Sequence, residues 1–410
     1  MTTTAGTTRP AARGLFLLGP AFVAAIAYVD PGNVAANLTG GARYGYLLVW
    51  VLVAANLIAG LVQYQSAKLG LVTGRTLPEL LGDRLKPVPR RLFWVQAELV
   101  AAATDLAEVI GGAIALNLLF GVPLFVGGII VGAVSMGLLA VQSRYGQRPF
   151  ESVIIGLLAI IAIGFLAGLF ISPPDGRAVL GGLVPRFEGS ASVLLSAGML
   201  GATVMPHAIY VHSALARDRH GRGATADARK RLLRATKWDV MIALGLAGIV
   251  NIGMLLLAAV NLRNIDGTDT ISGAHAAIGA ALGPGIALVF AIGLLASGLA
   301  STSVGSYAGA TIMAGLLRRR IPVYLRRLLT LVPAIVLLAA GIDPTWALVV
   351  SQVFLSFGIP FALVPLLRLT NDPVVMGEQA NRRPVRWVMS LIVVLVVALN
   401  LALIVLTIRG

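Results

Sequence analysis

Long apolar stretches constrain this chain more than any other feature of its sequence. A helix needs about 20 mostly apolar residues to cross a bilayer. Eleven stretches meet that requirement: 14–37, 45–70, 91–119, 122–142, 150–171, 191–215, 239–260, 284–316, 322–340, 344–367 and 386–408. No stretch alternates with a period of two residues, as the strands of a membrane barrel do. The sequence therefore predicts an all-α polytopic membrane protein with eleven transmembrane helices, formed as a single membrane domain over residues 1–410.

The amino-acid composition excludes a water-soluble globule. Hydrophobic residues make up 58% of the chain and charged residues only 12%, against about 25% charged residues in an average soluble domain. Cysteine is absent, so the chain has no disulfide and no thiolate metal site. A metal site in this protein would have to use oxygen, nitrogen or thioether donors.

The basic residues are divided unevenly between the two sides of the predicted bundle. Of the 32 Lys and Arg residues, 27 lie in the N-terminus or the even-numbered connections, and 5 lie in the odd-numbered connections or the C-terminal tail. The positive-inside rule then predicts a cytoplasmic N-terminus and an extracytoplasmic C-terminus. Topology accounts for the net charge of +15, so nucleic acid is not an expected partner. A cleaved signal peptide, suggested by Arg9 and Arg13 before the first apolar run, is an alternative that would remove the first span.

Two spans are interrupted at matching positions. The first contains Asp30-Pro31-Gly32-Asn33 and the sixth contains Met205-Pro206-His207. A carboxylate at membrane depth costs about 2.5–3.5 kcal/mol, and proline removes a helical N–H donor. Each interruption lies in the first helix of a five-helix set, which gives repeats over 14–171 and 191–367 with the helix 386–408 outside them. Because five is odd, the second set is inverted, and paired interruptions of this kind mark a transporter's central binding site. The alternative is a proline kink in which Asp30 is neutral or paired.

The interrupted segments supply a mixed set of metal donors. Side-chain oxygens, carbonyls freed by unwinding and one thioether sulfur are contributed by Asp30, Asn33, Ala27, Ala202, Met205 and, from the tenth span, Gln352. Oxygen donors with one soft sulfur suit a divalent first-row transition metal better than calcium or magnesium. Two alternatives stay open, because a methionine in an apolar helix is often core filler and a buried glutamine often serves helix packing.

A second set of polar residues predicts a route for protons. Glu98, Asp105 and Glu108 are spaced by seven and three residues, which places them near one face of the third span. Carboxylates facing lipid would be prohibitive, so they should face the bundle as a proton relay. His207 could pass protons to them, because an unperturbed imidazole titrates at about pH 6.5. Arg326 and Arg327, at the start of the ninth span, are possible partners. A purely structural ion-pair network and positive-inside anchoring of the arginines are the alternatives.

Two motifs carry a resemblance to a known family: Asp30-Pro31-Gly32-Asn33, and the run Gly201-Ala202-Thr203-Val204-Met205-Pro206-His207. The segments 40–46 and 97–108 support it. At these residues, and over nearly its whole length, the chain resembles the Nramp family of divalent-metal transporters, specifically the bacterial proton-linked manganese type. Members of that family that favour magnesium lack the methionine that is present here as Met205.

The resemblance implies a leucine-transporter-like fold, in which a 5+5 inverted repeat with broken helices 1 and 6 works by alternating access and an eleventh helix is peripheral. It implies symport of protons with Mn²⁺, and also Fe²⁺, Co²⁺ and Cd²⁺, into the cytoplasm across a bacterial plasma membrane. The implied partners are divalent metal ions, protons and the lipid bilayer, with no cofactor and no obligate protein partner. Metal ligation is implied for Asp30, Asn33, Met205, the Ala202 carbonyl and, in some states, Ala27 and Gln352. A proton route is implied for the positions His207, Asp105, Glu108, Arg326 and Arg327.

The main alternative function is sodium-coupled transport of an organic solute on the same fold. It is suggested by hydroxyl groups in the eighth span, namely Ser297, Ser301, Thr302 and Ser303, although small residues also serve close helix packing. An enzyme is not expected, because the sequence has no H-E-x-x-H motif and no visible Ser/Lys dyad. Paired broken helices argue against a passive channel.

Overall fold

The computed structural model describes residues 19–145, 147–221, 225–317 and 323–409, and within these ranges the chain is helical with short connections and no strand. In chain order the helices are α1 (Pro20–Ile26), α2 (Pro31–Tyr44), α3 (Val49–Thr73), α4 (Leu77–Arg84), α5 (Pro87–Phe120), α6 (Leu124–Tyr145), α7 (Gln147–Ile171), α8 (Gly176–Gly181), α9 (Gly189–Thr203), α10 (Pro206–His220), α11 (Ala226–Asn261), α12 (Ile271–Leu282), α13 (Pro284–Leu317), α14 (Val323–Ala339), α15 (Pro344–Asn371), α16 (Pro373–Met376) and α17 (Arg383–Arg409). Short 3₁₀ turns cover Ala27–Val29 and Gly377–Gln379.

Each of the eleven predicted spans falls on one helix or, for the first and sixth spans, on a pair of helices. By length and composition, eight helices within the described ranges are sufficient to cross a membrane, counting α9 and α10 as one. The other three predicted spans are the pair α1–α2, α6 and α14. The prediction of an all-helical membrane protein is confirmed. Residues 14–18 and 322 of the predicted spans lie outside the described residues, as do Arg9 and Arg13 with the signal-peptide alternative.

Glycines allow close helix packing both within the second repeat and between the two repeats. A Cβ at Gly201 of α9 would lie 2.1 Å from the Gln352 carbonyl oxygen of α15, and a Cβ at Gly298 of α13 would lie 3.1 Å from the Glu108 carbonyl oxygen of α5. Helices α9 and α15 are therefore in backbone contact, and α13 packs closely on α5. Helix α17 lies against α15, where the Asn400 side-chain amide donates to the Ser356 carbonyl over 2.9 Å.

Candidate functional site

The first span is interrupted at the predicted motif. Helix α1 ends at Ile26, the 3₁₀ turn follows, and Asp30 is extended with φ −73° and ψ 167°. Helix α2 then begins at Pro31, where the missing N–H is not needed because the first residues of a helix have no intrahelical acceptor. The Asp30 carboxylate caps α2, since the Asn33 N–H donates to its Oδ1 over 2.9 Å. The break is thus a buried helix N-terminus with a carboxylate at its cap.

The sixth span is interrupted in the same way. Helix α9 ends at Thr203, Met205 is extended with φ −63° and ψ 121°, and α10 begins at Pro206. Met205 therefore occupies the position in the second break that Asp30 occupies in the first. Its side chain makes no capping hydrogen bond, so the thioether is not engaged by the helix that follows it. Both predicted breaks are confirmed.

Asn33 connects the two breaks. Its Nδ2 donates to Asp30 Oδ1 over 2.7 Å and to the Ala202 carbonyl over 2.9 Å. Thr203 Oγ1 lies 3.5 Å from Asn33 Oδ1. The second carboxylate oxygen, Asp30 Oδ2, is buried and has no hydrogen-bond partner among the described residues. Buried carboxylate oxygens are usually hydrogen-bonded, so Asp30 Oδ2 is left available for a further interaction.

Gln352 of α15 reaches the first break from the opposite side. A Cβ at Gly32 would lie only 1.9 Å from Gln352 Nε2, so glycine is required for the side chain to fit. Gln352 Nε2 donates to Ser351 Oγ over 3.1 Å, while its Oε1 has no partner among the described residues. On the third side, a Cβ at Gly111 of α5 would lie 2.0 Å from the Pro31 Cβ. The lack of a side chain at Gly32 and Gly111 thus leaves room for Gln352 and Pro31 beside the break.

The remaining predicted ligands lie in the interrupted segments. Met205 and Ala27 are buried, with exposures of 0% and 1%. Within the described ranges, no group of three or more His, Cys, Asp or Glu is placed to hold a metal ion. Asp30 is therefore joined by neutral donors: the Asn33 and Gln352 amides, the Ala202 carbonyl and, by position, Met205 and Ala27. With one carboxylate, such a set neutralises one of the two charges of a divalent ion.

The three carboxylates of α5 meet the two arginines of α14. Arg326 Nε donates to Glu98 Oε1 over 2.8 Å, and Arg327 Nη1 lies 2.8 Å from Asp105 Oδ1 and 3.9 Å from Glu108 Oε2. The exposures of Arg326 and Arg327 are 3% and 0%. Arginines that anchor a helix at the lipid surface would be exposed, so this geometry favours the paired role over anchoring.

His207 is one turn from the second break and faces α5. Its Nδ1 lies 3.3 Å from Thr104 Oγ1, and Thr104 directly precedes Asp105. Because His207 is 1% exposed, its contacts are with protein rather than with bulk water. The imidazole therefore lies between the second break and the part of α5 that carries Asp105.

The hydroxyls of the eighth span donate hydrogen bonds to main-chain carbonyls. Ser301 Oγ donates to the Ser297 carbonyl over 2.8 Å, and Thr302 Oγ1 donates to the Gly298 carbonyl over 2.7 Å. Arg327 Nη2 also donates to Thr302 Oγ1 over 3.3 Å. A guanidinium at this distance repels a sodium ion. Ser303 Oγ also donates within the helix, to the Leu299 carbonyl, whereas Ser297 Oγ donates to the Val29 carbonyl of the first break over 2.5 Å. All four hydroxyls therefore have protein partners.

A polar layer around the first break was not predicted. Asn251 Nδ2 of α11 donates to the Tyr28 carbonyl over 2.6 Å, and Asn37 Nδ2 donates to Asn251 Oδ1 over 2.9 Å. Asp239 of α11 accepts hydrogen bonds from the N–H groups of Gly19 and Ala21, over 3.0 and 2.9 Å. Each of these side chains is a polar residue in an apolar span, and that isolation is the sequence signal that could have identified them. They hold both sides of the break in position.

The site is closed to solvent. Asp30, Asn33, Met205 and Gln352 are each 0% exposed. At the end of the bundle where α2 meets α12, Arg43 Nη2 donates to Asp269 Oδ2 over 2.5 Å. A cargo ion can reach these donors only if helices move, which agrees with a mechanism of alternating access.

Comparison with known sequences identifies relatives along the whole chain. Residues 21–406 match the profile of the family described as natural resistance-associated macrophage protein-like, or Nramp. The divalent metal cation transporter MntH of Mycobacterium tuberculosis H37Rv is 60% identical over 395 residues, which cover 96% of this chain and 92% of that protein. The divalent metal cation transporter MntH of Bacillus subtilis is 48% identical over 401 residues, which cover 97% and 94% of the two chains.

Solved structures give the same answer for the fold. A manganese transporter of Eremococcus coleocola, crystallised with an aromatic bis-isothiourea compound, superposes with a TM-score of 0.86 at 32% identity, covering 98% of this chain and 88% of the other. The amino-acid-bound structure of MhsT superposes with a TM-score of 0.59 at 12% identity, covering 93% and 98%, and supports the fold alone. The leucine-transporter-like architecture implied by the family resemblance is confirmed.

Proposed function

The chain belongs to the Nramp family and is a divalent metal cation transporter rather than an enzyme, and on that premise we propose that it carries Mn²⁺, and also Fe²⁺, Co²⁺ and Cd²⁺, into the cytoplasm together with protons. The cargo ion binds between the two broken helices. The protein works by alternating access between the two sides of the membrane and needs no resident cofactor.

The observation that carries this proposal is that Asp30 Oδ2 has no hydrogen-bond partner in the part of the chain that the structure describes. This buried oxygen lies in the same motif as Asn33, whose amide already contacts Asp30 Oδ1 and the Ala202 carbonyl. A divalent ion bound to Oδ2 would satisfy the carboxylate and would draw on the neighbouring carbonyl and amide oxygens. Met205 adds the soft donor that favours transition metals over calcium and magnesium.

Protons follow a path that begins beside the metal. His207 contacts Thr104, and the adjacent Asp105 is paired with Arg327, which also faces Glu108. Glu98 and Arg326 extend the same row toward the end of α5. In this proposal the row accepts a proton from His207 when the metal binds, and the arginines hold the carboxylates in line.

The proposed location is the plasma membrane of a bacterium. The division of basic residues, 27 against 5, supports a cytoplasmic N-terminus and an extracytoplasmic C-terminus. The transporter is one domain, with repeats over 14–171 and 191–367 and α17 beside them. Metal ions, protons and lipid are its only proposed partners.

The test is manganese uptake by purified protein in proteoliposomes, with internal pH recorded at the same time. We expect manganese influx accompanied by internal acidification, and loss of both with Asp30→Asn. Manganese influx without acidification would support metal transport and contradict proton coupling. Sodium-dependent uptake of an organic solute without metal transport would support the alternative function, which the engaged hydroxyls of α13 do not favour.

A further inference from the structure

Helices α3 and α11 separate on the outer surface of the bundle. Where they are close, a Cβ at Gly248 of α11 would lie 2.1 Å from the Asn56 side-chain amide of α3. Nearer the other end of the crossing, a Cβ at Gly245 or Gly60 would have no atom within 4 Å. A groove of about 380 Å³ lies beside this contact, lined by residues of both helices.

The wall of this groove is mostly apolar between two polar ends, with Asn56 at one end and Lys237 at the other. Besides the two glycines, it is formed by Leu57, Leu61, Tyr64, Val240, Met241 and Leu244. Leu57 and Met241 are 70% and 52% exposed, so the groove opens toward the hydrocarbon of the bilayer. Lys237 lines the end of the groove that lies away from Gly248.

From Lys237, a row of basic residues extends toward the N-terminus of α11. Lys230, Arg234 and Lys237 are spaced by four and three residues, so they lie on one face of the helix, and all three are exposed. None of them forms an ion pair with a residue that the structure describes. Trp238, which is 56% exposed, adjoins them, and tryptophan is enriched at the membrane interface.

The length of the groove matches one leaflet. Lys237 and Gly248 are eleven residues apart, which corresponds to about 16 Å along a helix. Half of the hydrocarbon core of a bilayer is about 15 Å thick. A chain that begins at Lys237 would therefore end near the middle of the membrane, where Asn56 closes the groove.

We propose that this groove binds one acyl chain of an anionic glycerophospholipid, whose headgroup phosphate is held by Lys237 and Arg234. The apolar wall accounts for the chain, and the exposed basic row accounts for the negative charge. With the proposed topology, this lipid lies in the cytoplasmic leaflet. The binding itself does not depend on the transported ion or on proton coupling. Because α11 also carries Asp239, which caps α1, a lipid at this site would support the helix that holds the first break.

The test is native mass spectrometry of the full-length protein in detergent, titrated with phosphatidylglycerol or phosphatidylcholine of identical acyl chains. We expect wild type to retain phosphatidylglycerol about tenfold more tightly. In the variants Lys237→Gln and Arg234→Gln, each lost charge should weaken phosphatidylglycerol binding about fivefold and leave phosphatidylcholine binding unchanged. Gly245→Leu, which fills the groove, should weaken the binding of both lipids.

Two matched controls separate this site from general effects. Arg91→Gln removes an exposed basic residue at the start of α5, and Gly156→Leu adds the same side chain to an open, exposed position on α7. Both should bind lipid as wild type does. Equal retention of the two lipids by wild type, or unchanged phosphatidylglycerol binding in the charge variants, would overturn the proposal. A lipid-free dimer that Gly245→Leu abolishes would assign the groove to a second copy of the chain instead.

Discussion

The side-chain amide of Asn33 donates a hydrogen bond of 2.9 Å to the carbonyl of Ala202, a residue 169 positions further along the chain. The other amide hydrogen is given to Asp30 Oδ1 over 2.7 Å, so both donors of Asn33 are used inside the site. The residues that these hydrogen bonds join are thus the residues proposed to ligate the ion. An ion bound to Asp30 and the Ala202 carbonyl would compete with these hydrogen bonds, so metal binding is expected to depend on the relative position of α2 and α9.

Replacing Asp30 with asparagine tests the charge of the site. Asparagine keeps an oxygen that can cap α2, so Asp30→Asn removes the negative charge while preserving the local fold. We expect manganese binding, measured by calorimetry, to weaken by more than about tenfold, since a charged ligand contributes well over 1.4 kcal/mol. Asp175→Asn is the matched control, because Asp175 caps α8 in the same way far from the site. Near-normal manganese transport by Asp30→Asn would mean that the ion binds elsewhere.

Adding a methyl group at Gly32 tests the position of Gln352. The new Cβ would lie 1.9 Å from Gln352 Nε2, and such overpacking costs about 1–3 kcal/mol. Gly32→Ala should lower manganese uptake roughly tenfold while the protein remains folded by size-exclusion chromatography. Gly156→Ala, at an open position, should have no effect. If the clash is the cause, Gly32→Ala combined with Gln352→Ala should be no worse than Gln352→Ala alone; additive losses would contradict it.

Neutralising Asp105 or Glu108 tests proton coupling. Asp105→Asn and Glu108→Gln retain the shape of the side chains but cannot exchange a proton at neutral pH. We expect metal-linked acidification of proteoliposomes to fall at least fivefold, with manganese affinity changed less than twofold. Thr104→Val, which removes the hydroxyl 3.3 Å from His207 Nδ1, should reduce proton flux in the same direction. Equal loss of metal binding and proton flux would identify the row as a structural ion-pair network.

Removing Arg327 tests the stability of that row. Arg327→Ala leaves Asp105 and Glu108 without their buried counter-charge, and breaking a buried pair costs about 3–5 kcal/mol. The midpoint of thermal unfolding in detergent should drop clearly. Arg43→Ala is the matched control, since the Arg43–Asp269 pair has exposures of 54% and 37% and an exposed pair contributes about 1 kcal/mol or less. Similar unfolding midpoints for the two variants would show that Arg327 is not needed to balance the carboxylates.

Truncating Met205 tests selectivity. A thioether contributes little to a hard ion and more to a soft one. Met205→Ala should therefore keep substantial manganese uptake, lose cadmium uptake and begin to admit calcium or magnesium, when all four ions are measured under one voltage and pH gradient. Met254→Ala removes another fully buried methionine, on α11, and should leave the order of ions unchanged. Unchanged discrimination between cadmium and calcium in Met205→Ala would assign Met205 to packing.

The two breaks could be predicted because their cause is local. Asp30-Pro31 and Met205-Pro206 are unfavourable in an uninterrupted membrane helix, so the sequence alone marks where unwinding occurs. Partner choice could not be predicted. Which arginine pairs with which carboxylate depends on how α14 is rotated against α5, and the contact of Gln352 with Gly32 depends on the distance between α15 and α2.

The layer behind the site also lay beyond sequence reasoning. Asn251 and Asp239 are isolated polar residues in an apolar span, and their spacing indicates only that they are buried. Their partners are main-chain groups of Tyr28, Gly19 and Ala21, which leave no signal in the sequence of side chains. Contacts between side chains and distant backbone atoms are therefore the part of this site that requires a three-dimensional structure.

The pairing of α5 with α14 also affects how the chain enters the membrane during synthesis. Glu98 is 228 residues ahead of Arg326, so α5 is translated long before the arginines that neutralise it. Each charged residue raises the insertion free energy of its helix by about 2.5–3.5 kcal/mol, and neither helix can recover that cost alone. Until α14 arrives, α5 must stay at the translocon or keep its carboxylates protonated. A nascent chain that ends before residue 326 is therefore expected to be a substrate for membrane quality control.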